Sequence, residues 1–227
     1  MLTDFSLFKA AEAELDARLP QYGLAVVRLD GSNFSNLTRQ FEKPFSIPFE
    51  DAMNAAAVAV AREVLPNALV AFVASDEISL VISDGVAELP YGRRIQKLTS
   101  LSAAVASVAF MRAIPDVLGT PAFDSRVLKL EDPDHIREYI TWRRLDCRKN
   151  ATSMAAGHLK SHKELHGVST RERGDLLVGT PFEAIPEGTF NGRFVTKDGA
   201  VDVASRELTE VVTAAAAEKH KLFTSQR

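Results

Sequence analysis

The chain has 227 residues, enough to bury a substantial core as one domain with an appendage or as two small domains. Its 46% hydrophobic and 25% charged residues, net charge of −3 and single cysteine exclude the membrane-spanning, globally basic and disulfide-bonded classes. Because the first residues mix charges with apolar side chains, unlike a signal peptide, we predict a cytoplasmic protein without a membrane partner.

Apolar periodicity and turn residues divide the chain into predicted elements. In chain order they are a helix (7–19), a strand (24–29), a loop (32–48), a helix (49–65), a two-strand hairpin (69–74 and 78–82), a helix (94–114), a strand (125–130), a helix from about residue 132 to 145 or beyond, further helix from 151, a loop (179–199) and a final helix (203–220). The central strand-helix-strand-strand-helix-strand order predicts a split βαβ unit. This is a ferredoxin-like α/β (α+β) sheet with flanking helices.

Two carboxylates stand where this topology brings strand ends together. The apolar run LAVVRL stops at Asp30, and Asp76 lies in the turn Ser75-Asp76-Glu77 between the hairpin arms. In a split βαβ unit the first strand and the first hairpin arm run parallel, so the two aspartates should be neighbours despite 45 intervening residues. Buried carboxylates need a partner, and a divalent cation is a common one, which predicts metal-assisted phosphoryl or nucleotidyl transfer.

Asp30 and Asp76 form a hard oxygen pair that suits Mg²⁺, which takes its other ligands from water and substrate phosphates. Two such ions about 3.5–4 Å apart would stabilise the attacking and leaving oxygens of an in-line displacement. Gly31 would let the backbone approach an ion or a phosphate, and its carbonyl is a further candidate ligand. Glu77 either helps to hold the ions or points to solvent.

Basic residues supply candidate partners for phosphate groups. Lys43 lies in the loop 32–48, and Arg93, Arg94 and Lys97 surround the start of the long helix 94–114. Residues 142–173 carry eight basic and three acidic side chains, a surplus of five positive charges, which favours a phosphate-facing surface. The alternative for all of these basic residues is that they are ordinary charges on solvated helix faces, at helix ends and in loops.

Three histidines, His158, His162 and His166, recur every four residues, so one helical face would present all three. This spacing suits a metal ion, but the positive charges of the neighbouring Lys160 and Lys163 would repel a cation. We therefore predict a face that meets phosphates, with zinc as the lesser alternative.

Six motifs in consistent order resemble a known family. They are RLDGSNF (28–34), FEKPF (41–45), ASDE (74–77), RRxxK (93–97), FDSRV (123–127) and YITWRRLDC (139–147). Together they resemble the tRNA(His) guanylyltransferase family over roughly residues 28–167. The resemblance implies a polymerase-type palm, divided here into a palm catalytic domain (1–145) and a helical, RNA-facing C-terminal region packed on it (146–227).

The resemblance also implies a reaction. An Mg-dependent nucleotidyltransferase would add nucleotides to the 5′ end of tRNA in the 3′-to-5′ direction. ATP first activates the 5′-monophosphate, and the 3′-hydroxyl of an incoming GTP or other NTP then attacks the adenylylated end. The family's tendency to form homodimers or homotetramers extends, by the same resemblance, to this chain.

Residue roles follow from the resemblance together with the basic residues above. Asp30, Asp76 and Glu77 would be catalytic, and Asp30, the Gly31 carbonyl and Asp76 would bind two Mg²⁺ ions. The nucleotide would contact Asp30, Gly31, Ser32, Asn33, Phe34, Ser35, Lys43, Ser75, Asp76, Arg93 and Lys97. The tRNA would contact Arg126, Arg148, Asn150, His162 and Lys163.

One departure from the family pattern bears on the substrate. Eukaryotic members carry His-Ile-Asn-Asn where this chain has residues 148–151, RKNA, and only Asn150 matches. The sequence SHKELHG (161–167) is instead similar to the bacterial-type, guanylyltransferase-like members, so we predict template-dependent repair of tRNA 5′ ends. The alternatives are a tRNA(His) guanylyltransferase that adds one G, a palm nucleotide cyclase that uses no RNA, and a catalytically silent RNA-binding module.

Overall fold

An antiparallel sheet forms the centre of the molecule. The structure, a computed structural model, describes residues 6–20, 24–83, 89–199 and 201–202. Six strands lie in the order β4-β1-β3-β2-β5-β6, and every neighbouring pair is antiparallel. The strands are β1 (Leu24–Ser32), β2 (Ala68–Ala74), β3 (Glu77–Ser83), β4 (Ala122–Leu130), β5 (Arg193–Val195) and β6 (Val201–Asp202).

Helices flank this sheet, and one of the long helices has a clear sequence signal at its start. The helix α3 begins after Ser46, whose hydroxyl accepts a hydrogen bond from the Phe49 backbone N–H, and Pro48 lies in its first turn. No helix in the described ranges is long and apolar enough to cross a membrane. The helices are α1 (Ser6–Glu14), α2 (Phe34–Leu37), α3 (Ile47–Glu63), α4 (Ile95–Ala113), α5 (Asp134–Leu159), α6 (Thr170–Asp175) and α7 (Glu187–Asn191).

Both faces of the sheet are covered. Helices α3 and α4 pack on one face, where Val27, Leu29 and Leu80 are buried, and α5 packs on the other, where Val26 and Phe72 are buried. The predicted split βαβ fold with flanking helices is therefore confirmed. Because α5 also buries the second face of β3, both faces of this strand are covered.

The strand register confirms the predicted meeting of strand ends. Because β1 and β2 each pair antiparallel with β3, which lies between them, β1 and β2 run parallel. Asp30 lies opposite Glu77, and the Gly31 backbone N–H donates to the Asp76 carbonyl over 3.0 Å. Glu77 is the first residue of β3, so the hairpin turn has two residues, Ser75 and Asp76, and not the three expected from the sequence.

The C-terminal region departs most from the sequence expectations. The helix α5 continues from Asp134 to Leu159, through the division placed after residue 145. The stretch 179–199, expected to be a loop, contains α7 and β5, and β5 pairs with β2. The region is therefore not purely helical, because it extends the sheet. The predicted helix 203–220 lies outside the described residues.

A small separate core supports this region. Ala155, Ala156, Leu165 and Leu177 are buried together, and Phe45, from the loop before α3, packs against them. This loop and the chain after α5 therefore share one apolar contact.

Candidate active site

Asp30 and Asp76, which we call the carboxylate edge, lie together at one end of the sheet. Asp30 occupies the last part of β1, and Asp76 lies in the turn after β2. Burial raises the pKa of the Asp76 carboxyl, and the charge of Asp30 raises it further, while a hydrogen bond from its own backbone opposes the shift. The predicted convergence of the two side chains is thus present in the fold.

The backbone at this edge is tightly constrained. Ser75 adopts a left-handed conformation with φ 55°, which non-glycine residues rarely occupy. A Cβ atom on Gly31 would lie only 2.4 Å from the nearest ring carbon of Phe34. Close approach of the Phe34 ring therefore requires glycine at residue 31, which is a packing reason that the sequence alone did not reveal.

Glu77 does not point to solvent. Its carboxylate accepts a hydrogen bond from the Arg143 Nε over 2.7 Å and lies 3.5 Å from the Arg28 Nε. Arg143 also contacts Asp146 over 3.1 Å. We call these four residues the arginine cluster. Burial raises the pKa of the Glu77 carboxyl, and the charges of Arg143 and Arg28 oppose the shift.

Two cavities adjoin the carboxylate edge and share four lining residues, Ser75, Asp76, Cys147 and Asn150. The small cavity, of about 190 Å³, is lined by Asp30 and the arginine cluster. The large cavity, of about 500 Å³, lies within the size range of small-molecule sites. Its apolar wall carries four phenylalanines, Phe34, Phe41, Phe45 and Phe49.

Several predicted nucleotide-binding residues line the large cavity. Phe34, Ser35, Lys43, Ser75 and Asp76 are among them. Burial lowers the pKa of the Lys43 ammonium, although the residue as a whole is exposed. Ser32 and Asn33 are exposed where β1 leads into α2, beside this wall.

Arg93 and Lys97 lie elsewhere in the chain. Phe110, near the end of α4, packs against Phe34 with ring centroids 5.1 Å apart. Lys97 lies thirteen residues earlier on the same helix, about 20 Å away at the helical rise. The structure therefore does not bring Lys97 or the adjacent Arg93 to the cavities within one chain, and their predicted role stays a prediction.

The predicted tRNA-binding residues divide into two sets. Arg126, Arg148, His162 and Lys163 are exposed, and Arg126 forms a two-point ion pair with Asp124 on β4. Asn150 instead lines both cavities, which places it beside the proposed nucleotide. These roles also stay predictions.

The basic segment 142–173 presents fewer free charges than its sequence indicates. Arg143 belongs to the arginine cluster, and Arg173 donates to Ser153 and to the carbonyls of Leu165 and Val168. Arg148, Lys149, Lys160, Lys163 and Arg171 remain exposed.

The expected histidine face does not form. The helix α5 ends at Leu159, so His162 and His166 lie in the turns that follow it, and the His158 ring packs against Phe182. The chain leaves the helix at Lys160, whose backbone is extended. The backbone N–H and the hydroxyl of Ser161 then donate hydrogen bonds to the Glu164 carboxylate. Within the described residues no group of three or more His, Cys, Asp or Glu side chains could hold a metal ion.

Sequence reasoning missed several residues of the site. Arg28 is a lone charge inside the apolar run of β1, a signal that could have marked it as a half-buried partner of a carboxylate. Glu50, Thr189 and Arg193 also line the large cavity, and they come from α3, α7 and β5. Their contacts link residues about 140 positions apart, which no local pattern reveals.

Comparison with known proteins decides the family. The profile described as tRNAHis guanylyltransferase matches residues 5–131, more than half of the chain. The chain belongs to the tRNAHis guanylyltransferase family. The family expected from the six motifs is therefore confirmed.

Individual relatives are similar to this chain over different shares of their length. The tRNA(His) guanylyltransferase of Schizosaccharomyces pombe is 36% identical over 60% of this chain and 53% of its own length. Uncharacterized protein R259 of Acanthamoeba polyphaga mimivirus is 29% identical over 66% of this chain and 61% of its own. The chain thus spans little more than half of these relatives.

Solved structures match more completely. A bacterial tRNA(His) guanylyltransferase-like protein in complex with ATP superposes with a TM-score of 0.80 and 26% identity, covering 90% of this chain and 94% of that one. The tRNA(His) guanylyltransferase of Saccharomyces cerevisiae has a TM-score of 0.73 at 23% identity, covers 86% of this chain and 94% of that one, and shows the shared fold. The polymerase-type palm predicted from the sequence is therefore confirmed.

Proposed function

We propose that this chain adds nucleotides to the 5′ end of tRNA in the 3′-to-5′ direction, and that it repairs truncated 5′ ends against a template. The observation that carries the proposal is that Asp30 and Asp76 meet beside a cavity of nucleotide size. The similarity to a bacterial guanylyltransferase-like protein in complex with ATP supports a nucleoside triphosphate as the occupant of that cavity.

The carboxylate edge fits a divalent cation such as Mg²⁺. Within the described part of the chain neither Asp30 nor Asp76 forms an ion pair with a basic side chain, and the charge of Asp30 contributes to raising the pKa of the Asp76 carboxyl. Two carboxylates with open coordination positions suit Mg²⁺, whose other ligands come from water, phosphates and a carbonyl such as that of Gly31. When bound, the ions would lower the charge on the phosphates and activate the attacking oxygen.

The protein groups have distinct parts in this proposal. Lys43 places a positive charge beside the triphosphate, and Phe34 fixes the backbone that carries Asp30. The Arg28 and Arg143 guanidinium groups line the small cavity, which is the place for a second phosphate group.

In the first step a 5′-phosphate oxygen displaces pyrophosphate from ATP. In the second, the NTP 3′-hydroxyl attacks the tRNA 5′ phosphorus and AMP leaves.

The tRNA would lie along the second half of α5 and the turns after it. Arg148, Lys149, Lys163 and Arg171 are exposed there, and such side chains neutralise phosphates without reading sequence. This surface favours an RNA substrate over the alternative of a palm nucleotide cyclase, which needs the same two carboxylates but no basic face. A chain that adds a single G to tRNA(His) would use the same surface.

The test uses pure protein with Mg²⁺, ATP and all four NTPs. One substrate is a 5′-monophosphorylated tRNA(His) without its extra G, and the other is a tRNA without its first nucleotide. Extension of the truncated tRNA by the templated nucleotide is the expected result. Extension of tRNA(His) alone, by G alone, would show that the protein adds the single G of tRNA(His) and does not repair truncated ends. NTP turnover without 5′ addition would favour the nucleotide cyclase.

Two variants control the test. Asp76→Asn, which keeps the shape of the side chain, should abolish extension while tRNA binding persists. Lys163→Ala should keep the chemistry but weaken tRNA binding and lower the dependence of binding on salt. Loss of tRNA binding in Asp76→Asn, with the fold intact by circular dichroism, would contradict the assignment of the carboxylate edge to chemistry.

A further inference from the structure

Three residues on one wall of the large cavity form a connected polar unit, which we call the far wall. Arg193 Nη1 contacts Glu50 Oε2 over 3.0 Å, and the Thr189 hydroxyl donates to Glu50 Oε1. Arg193 is held in turn by a 3.1 Å hydrogen bond from its Nε to Asn54 on α3. The Glu50 side chain is therefore fixed by partners on two other elements.

The backbone places the far wall close to the carboxylate edge. Arg193 pairs with Val73 in the β2–β5 ladder, and Val73 lies three residues before Asp76. Because three residues span at most about 10 Å, the far wall lies within about the length of a nucleoside from Asp76. A triphosphate held at Lys43 and Asp76 would therefore carry its nucleoside toward the far wall.

Charge decides which part of the ligand Glu50 can meet. An anionic carboxylate repels phosphates, so its neighbour must be a group that donates hydrogen bonds. A carboxylate has about four acceptor positions, and Arg193 and Thr189 use two of them. The Glu50 side chain is 23% exposed, against 6% for Arg193, so Glu50 is the member of the pair that a ligand can reach.

The aromatic residues that line the same cavity indicate a base rather than a sugar. Phe41 and Phe49, whose rings pack edge to face 5.4 Å apart, line the same cavity as Glu50. Aromatic side chains stack on base rings and offer no comparable contact to ribose hydroxyls.

We propose that Glu50, positioned by Arg193 and Thr189, accepts a hydrogen bond from the base of the bound nucleotide and distinguishes bases that carry an amino group. The inference rests on the proposed function, because it concerns the same cavity. It assigns a role to the segment that carries α7 and β5, which lies beyond the residues that match the family profile. Glu50 would contact the ligand, and Arg193 and Thr189 would be positioning residues.

The test compares nucleotides that differ by one amino group. Dissociation constants are measured by calorimetry with Mg²⁺ and without RNA. The pairs are ATP with purine riboside triphosphate and GTP with inosine triphosphate, and 2′-deoxy-ATP reports on the ribose. The wild-type protein should prefer the amino-bearing member of at least one pair by about tenfold or more, as expected for a hydrogen bond to a charged acceptor.

Glu50→Gln should bring that preference close to one, with little change for the analogue that lacks the amino group. The matched control is Glu42→Gln, another carboxylate on the same cavity, which should keep the preference. Thermal unfolding of each variant shows that the fold is retained, and Thr189→Val, which removes only one support of Glu50, should give an intermediate preference.

Three results would overturn the inference. They are a preference unchanged in Glu50→Gln, equal weakening of every nucleotide, and a Glu50→Gln effect confined to 2′-deoxy-ATP against ATP, which would assign Glu50 to the ribose. If Glu50→Gln does not fold, an unchanged preference in Thr189→Val has the same meaning. Failure of 5′ extension by a wild-type protein that shows the base preference would refute the proposed reaction and leave this inference standing.

Discussion

Asp76 and Glu77 are adjacent in the chain, yet they belong to regions of opposite electrostatic character. At the carboxylate edge two acidic side chains meet without a basic partner among the described residues. In the arginine cluster a buried carboxylate meets two guanidinium groups. The difference arises because Asp76 lies in the turn, whereas Glu77 is the first residue of β3 and faces α5. The position of a carboxylate in the turn or in the strand therefore decides whether it meets a basic partner, and its neighbour in the chain does not.

Removing one partner from the arginine cluster should have the largest effect on stability. Arg143→Met leaves the Glu77 carboxylate buried with only the longer contacts to Arg28 and to the Ser79 hydroxyl, and breaking such a buried pair costs about 3–5 kcal/mol. Urea unfolding measures the loss. Lys149→Met, an exposed change on the same helix, should stay within about 0.5 kcal/mol. Equal losses of stability in the two variants would show that any substitution in α5 destabilises the protein, and that the arginine cluster has no special effect.

A methyl group on Gly31 tests how tightly the carboxylate edge is packed. Gly31→Ala forces a contact of 2.4 Å with the Phe34 ring, so we expect a loss of about 1–3 kcal/mol from overpacking. The control is Gly157→Ala, in the helix α5 with nothing within 4 Å of the added atom. It should stabilise the protein by up to about 1 kcal/mol. A Gly31→Ala protein as stable as wild type would mean that Phe34 moves aside freely.

Neutralising the carboxylate edge should not destabilise the fold, unlike the two changes above. Without divalent ions, Asp30→Asn should leave the melting temperature unchanged or raise it slightly, because the repulsion between Asp30 and Asp76 is removed. We expect Mg²⁺ to raise the melting temperature of the wild-type protein, and Asp30→Asn should lose that rise. Asp124→Asn, opposite Asp30 on β4, should keep that rise. Equal Mg²⁺ stabilisation of wild type and Asp30→Asn would contradict the metal site.

The smallest effect concerns Cys147, which lines both cavities. Burial raises the pKa of the Cys147 thiol to about 11, so the thiol stays neutral at pH 8. Alkylation by iodoacetamide at pH 8 should be at least tenfold slower in the folded than in the urea-unfolded protein, because the thiolate is the reactive form. Since the folded pKa lies above the unfolded one, stability from this group is complete below about pH 8.5 and falls as pH rises toward 11. Rapid alkylation at pH 8 would place the thiol in solvent.

The strands and the meeting of Asp30 with Asp76 were predictable because they follow from local periodicity and element order. The apolar runs of β1 and β2 end within a few residues of the predicted limits, and turn residues mark the hairpin. The position of Glu77 was not predictable in this way, since strand alternation assigns it to a face only once the turn is known to have two residues.

The remaining differences have long-range causes. The stretch 179–199 carries Gly and Pro signals typical of a loop, but pairing with β2 makes Arg193–Val195 a strand. Glu50 and Thr189 are 139 positions apart, so the far wall has no signature in either segment alone. The four-residue spacing of the histidines predicted a continuous helix, but the spacing continues in the sequence after the helix itself has ended at Lys160 and Ser161.

The backbone hydrogen bond between Gly31 and Asp76 has a consequence for protein engineering. It locks β1 to the hairpin turn. Inserting or deleting one residue in β1 would turn the Asp30 side chain to the opposite face of the sheet, and the same change in the turn would displace Asp76. Residues 114–121, which join α4 to β4 and are largely exposed, lie outside that lock. Chimaeras between relatives should therefore be joined there, where changes in length leave the spacing of the two aspartates intact.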